Sequence, residues 1–155
     1  MTLGNILKRG GGVAETGRPV KFQLRYKGKD GTWHRREVDA LILPVSEEER
    51  AEFKQAADVH CDEQKLTAPD IRSDERQLRL VAAMLRDPAD PRARLVPDGE
   101  LHLLRRGLVH AQIEHLLEQY GRHLLGEYPE VFTREDVQQV EEQAEDFSDG
   151  ASPQS

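Results

Sequence analysis

"PVKFQLRYKGKDGTWHRREVDALILP", residues 19–44, decides the fold class. Val20, Phe22, Leu24 and Tyr26 alternate with Lys21, Gln23, Arg25 and Lys27, the period of a strand buried on one face. "GKDG", residues 28–31, turns the chain, and the run that follows grows apolar towards Leu41, Ile42 and Leu43 before Pro44 stops it. The spacing predicts a β-hairpin, or a small antiparallel sheet if it gains a third strand that the pattern does not locate.

After the hairpin the period changes. Ser46 followed by Glu47–Glu49 reads as a capping box opening a helix to about Gln64, whose sparse apolar positions (Phe53, Ala56, Ala57, His60) give one narrow buried stripe. "LTAPDIRS", 66–73, breaks that helix, and Ser73 is the expected cap of the next. There Leu78, Leu80, Val81, Ala82, Ala83, Met84 and Leu85 leave almost no polar side, so the helix is central. Residues 85–104 carry three prolines and read as a stiff, charged elbow. Asp98 is the expected N-cap of a short helix interrupted at Gly107. Val109, Ile113, Leu116, Leu117, Tyr120 and Leu124 then mark the longest amphipathic helix, ended by Gly126 and Pro129. A last, acidic helix carries a narrow seam of Val137, Val140, Ala144 and Phe147. The fold expected is α+β: an N-terminal hairpin or small antiparallel sheet followed by about five helices, with helix dominant. A flexible Gly-rich arm (1–18) and a disordered C-terminal tail (148–155) are expected around a single domain at 19–147.

With 155 residues the chain suits one domain, and 33% charged residues against 37% hydrophobic ones give it a very ionic surface. Its single cysteine, Cys61, excludes an internal disulfide and fits a reducing compartment. No apolar run has the length of a signal peptide core or a membrane span. Residues 1–45 hold nine Lys/Arg against four Asp/Glu, and residues 126–155 hold one against nine. Ends of opposite sign allow self-association, and the acidic end disfavours strong binding to duplex nucleic acid.

Reactive groups are scattered. "RGGG", 9–12, lacks the preceding strand and the following Lys-Ser/Thr of a phosphate-binding loop. His60 and Cys61 are neighbours on a helix, about 100° apart, among Asp58, Asp62 and Glu63, which oppose a thiolate. A helix-surface cysteine is the expectation. His110 and Glu114 fit a solvated i,i+4 pair, and the other histidines lack ligand spacing. We therefore expect no enzyme, and no metal or cofactor. Lys21, Arg25, Lys27, Arg35 and Arg36, with Lys29 and Trp33, make a candidate basic face suited to single-stranded nucleic acid or an acidic protein surface. With so few aromatics, a solvated face with Trp33 covering an apolar edge, or a protein partner, is the expected reading.

The order of a short β N-terminus, a helix ending "LVAAMLRDP" (80–88), a Pro-rich connector and a helix ending "LLEQYGRHLLGEYP" (116–129) resembles the tail assembly chaperones of long-tailed bacteriophages and related prophages. The likeness spans about 19–130. It is strongest at 75–129, through "E-x-x-L-x-x-x-x-A-x-L-R-D-P" (75–88) and "L-x-x-x-Y" (116–120). The resemblance implies a non-enzymatic factor that binds the tape measure protein, keeps it soluble and helps tail tube protein polymerise around it. It implies the host bacterial cytoplasm as location and absence from the mature virion, and many relatives add a minor, frameshifted long form. Partner contacts are then expected from Val137, Val140, Ala144 and Phe147, together with Ile113. The alternative is a small nucleic-acid-binding or regulatory module using the basic hairpin.

Overall fold

A computed structural model describes residues 2–8, 16–132, 135 and 138. The hairpin forms as read: β1 (Arg18–Lys27) pairs antiparallel with β2 (Trp33–Ile42) over its whole length, Arg18 opposite Ile42 and Lys27 opposite Trp33. Gly28 and Thr32 close a three-residue loop. The Gly28 carbonyl accepts from the Gly31 amide at 3.0 Å, and Gly31 sits at φ +79°, a left-handed position that favours glycine.

The elbow is where the structure departs from the sequence reading. Residues 85–94 are a second hairpin, β3 (Leu85–Asp87) and β4 (Asp90–Arg94), which extends the sheet to four antiparallel strands in the order β1-β2-β3-β4. Leu85 pairs with Ile42 and Arg86 with Leu41. The prolines that argued against a strand are placed where they do no harm. Pro88 lies in the turn, which the Asp87 carboxylate braces by accepting from the Ala89 amide at 2.9 Å. Pro91 lies on β4, the outermost strand, where a missing N–H need not break the ladder.

Among the described residues there are five α-helices: α1 (Leu3–Lys8), α2 (Glu47–Glu63), α3 (Pro69–Met84), α4 (Leu101–Gly107) and α5 (His110–Glu127). α1 lies within the arm read as flexible; the seam residues of the last, acidic helix, Val137, Val140, Ala144 and Phe147, fall outside the described residues. Ser46 caps α2, its Oγ accepting from the Glu49 amide at 3.2 Å. The other half of the box is spent elsewhere, because the Glu49 carboxylate takes Arg86 Nη2 at 3.0 Å, tying α2 to β3. α2 ends in a Schellman turn: Leu66 donates to the Cys61 carbonyl and Lys65 to that of Asp62, with Lys65 at φ 57°. α3 starts four residues before the expected Ser73 cap. Pro69 occupies its first turn, where the absent N–H has no partner to lose, so the residue read as a breaker begins the helix. A 3-10 turn at Asp98–Glu100 precedes α4, whose N-cap position is Glu100, not Asp98.

One face of the sheet is covered. Val20, Phe22, Ala40, Ile42 and Leu85 pack on Leu78, Val81, Ala82 and Met84 of α3, Leu104 of α4, and Ile113 and Leu116 of α5. α3 is the central helix, as its apolar circumference requires. α2 packs outside it, burying Ala57 and Cys61. Cys61 is thus a core residue, which corrects the helix-surface reading. α5 is fastened to β1: Gln112 donates to the Gln23 carbonyl at 2.7 Å, Arg18 to Gln119 at 2.9 Å, and His123 Nε2 lies 2.7 Å from the Thr16 carbonyl. No helix among the described residues is long and apolar enough to cross a membrane.

Candidate functional site

Two surface features concentrate chemistry. The first is a groove of about 280 Å³ where the α2–α3 turn meets the α4–α5 junction. Leu66, Leu78, Leu104, Leu108 and Ile113 give it an apolar floor, and Asp74, Arg105 and His110 stand at its rim. Of the expected partner-binding residues, Ile113 is here, buried and shared with the core. Val137, Val140, Ala144 and Phe147 lie outside the described residues. Ile71, by contrast, is 42% exposed at the lip.

Glu75 organises the groove wall. It is buried, yet its two oxygens accept from Arg105 at 2.5 and 2.9 Å and from Arg79 at 2.9 Å, and His60 Nε2 lies 4.0 Å away. One carboxylate thereby joins α2, α3 and α4. Burial pushes the Glu75 carboxyl up, and the Arg105 and Arg79 guanidinium groups more than offset it, holding the group below its ordinary range. The Arg79 partnership, at i,i+4, was readable from spacing. The Arg105 partnership was not, since thirty residues and the second hairpin separate the two.

The second feature is the end of the first hairpin. No residue from Arg25 to Glu37 is buried, so this part projects beyond the helical layer as a finger. Register sorts the five expected basic residues. Residues directly opposite each other share a face, which puts Lys21, Arg25, Lys27 and Arg35 on the outer face, whereas Arg36, opposite Leu24, points to the other side. The basic residues therefore do not form one face. Lys21 is also neutralised, 3.5 Å from Glu37 and 3.7 Å from Asp39. What remains is Arg25 opposite Arg35 and Lys27 opposite Trp33, around a hollow of about 390 Å³ lined by Arg25, Trp33, His34 and Arg35. Trp33 covers no apolar edge: it is 66% exposed, with Lys27 Nζ 6.0 Å from its ring centre. Tyr26 and His34 stack on the opposite face at 5.5 Å.

No group of His, Cys, Asp or Glu among the described residues is arranged to hold a metal ion. His110 and Glu114 form the exposed pair expected of their spacing, at 3.0 Å. Comparison with protein-family models, curated proteins and solved structures finds no match to this chain.

Proposed function

We propose that this protein is a non-enzymatic assembly chaperone of the phage tail type, which holds an amphipathic helix of a tape measure protein in the groove between α3 and the α4–α5 junction. The observation that carries this reading is the composition of the groove: an apolar floor inside a charged rim, the complement of a helix presenting residues at i, i+3 and i+4. The resemblance over residues 75–129 supports the same reading. The ionic surface suits a factor that must keep a long, aggregation-prone partner in solution. On this reading the protein works in the host bacterial cytoplasm, assists tail tube polymerisation and is left out of the finished particle.

Co-expression with the tape measure protein of the same locus tests it. The chain should keep that protein in the soluble fraction and co-purify with it, and Ile71→Glu should abolish both effects without lowering the melting temperature. A tape measure protein equally soluble without the chain, or unaffected by Ile71→Glu, would overturn the proposal.

A further inference from the structure

Arginines face each other at two places in the sheet, and the finger differs in what lies between them: Arg86 and Arg94, directly opposed on β3 and β4, share the Glu49 carboxylate at 3.0 and 3.7 Å. Nearer the helices, the outer face matches opposite signs, Lys21 standing directly across from Asp39. At the tip it sets Arg25 directly across from Arg35, an arrangement that costs stability because like charges face each other over one ladder step. Among the described residues neither arginine forms an ion pair with a carboxylate. Residues 25–36 hold five Lys/Arg and one Asp in a protein whose net charge is −7, so this positive potential is local to the tip. Cations on β1 recur at every second residue, Arg25 then Lys27, about 6.7 Å apart along the strand. Beside them Trp33 offers an exposed ring, one side of which meets Lys27.

We propose that the outer face of the finger binds single-stranded nucleic acid, with Arg25, Arg35 and Lys27 along the phosphate backbone and one base stacked on Trp33. An unpaired base has a flat apolar face for the ring, and successive phosphates relieve the repulsion between the arginines; this is the pairing of cations with an aromatic platform that single-strand binders use. An acidic peptide would satisfy the arginines and leave the exposed indole without a partner. The site is independent of the groove, so either assignment stands without the other.

Trp33 is the only tryptophan in the chain, so its fluorescence reports the site directly. Titration of the full chain with a twelve-residue oligothymidylate at low salt should quench it. Three phosphate contacts should give a slope of log K against log salt of about −2. By anisotropy of a labelled oligonucleotide, Arg35→Glu should weaken binding at least tenfold and Trp33→Leu about five- to 150-fold. Lys21→Glu, at the neutralised root, should change it less than twofold. Arg35→Gln should weaken binding yet leave the melting temperature unchanged or higher, since it removes a repulsion, which separates a binding role from a structural one. Absence of quenching, indifference to Arg35→Glu, or equal competition by poly-glutamate at matched charge would each overturn the proposal.

Discussion

Replacing Glu75 by glutamine removes one charge from the join between α2, α3 and α4. Removing one member of a buried ion pair costs about 3–5 kcal/mol, because the remaining charge is left without its partner. Two features of this site lower the figure. Glutamine keeps the volume and one acceptor oxygen, and Arg105, whose side chain is 40% exposed, can turn to water once released. Arg79, at 20% exposure, has less freedom. The expected loss is about 2–3 kcal/mol at pH 7, or a fall of roughly 4–12 °C in melting temperature for a chain of this size. Urea unfolding followed by circular dichroism measures it. The pH dependence gives a second check on the same variant. The Glu75 carboxyl is held below its ordinary value in the folded state, so its contribution is present in full above the unfolded carboxyl range, near pH 4.3, and is lost as pH falls through the depressed folded value. The gap between the native chain and Glu75→Gln should be constant from pH 7 to about 5.5 and close below pH 4. A gap under about 0.5 kcal/mol at pH 7, or one that persists undiminished in acid, would refute the account of Glu75 as a charged tie.

Leu85→Ala should destabilise the chain by about 2–5 kcal/mol in urea unfolding, since Leu85 is fully buried on β3 and the neighbouring strand limits collapse into the space. A loss near 1 kcal/mol would mean that 85–94 is an unpaired connector and not a strand pair added to the sheet. Lys65→Gly should raise stability by about 0.5–1 kcal/mol, because Lys65 holds a left-handed conformation that glycine adopts freely, and a lower melting temperature would contradict that backbone assignment.

The sequence carried the parts of this fold whose signal is local. Val20, Phe22 and Leu24 alternate because one face of β1 is covered and the other is wet, and that asymmetry is visible without any partner in hand. The apolar circumference of α3 likewise announced its central position. What stayed hidden depends on distant company. Leu85 and Arg86 look like the end of a helix until Leu41 and Ile42 lie beside them, and only an edge position makes Pro91 compatible with a strand. The groove was missed for the same reason. Leu66 and Ile71 read as breaker residues, and nothing in their spacing brings them to Leu104 and Leu108. The finger was half legible: its charge was plain, but only register moves Arg36 to the other face and leaves Arg25 and Arg35 in opposition.

The pattern behind the phage-tail resemblance falls on residues with structural duties. Glu75 ties three helices, Leu78, Ala83 and Leu85 are buried, and Arg86 holds Glu49 across to α2. Asp87 braces the turn ahead of β4, and the Tyr120 hydroxyl accepts from the Val45 amide at 3.1 Å, fixing the start of α2 against α5. A pattern of this kind reports how the chain is held together, and a scaffold does not by itself name a partner. Substitutions within it will lower stability and binding together and cannot separate one from the other. Ile71 and Arg35 lie outside the pattern, are exposed, and belong to different surfaces. Loss of tape measure binding in Ile71→Glu with oligonucleotide binding intact, and the reverse in Arg35→Glu, would assign the two surfaces separately. If both activities fell together in either variant, the groove and the finger would have to be parts of one site, and the independence of the two proposals would fail.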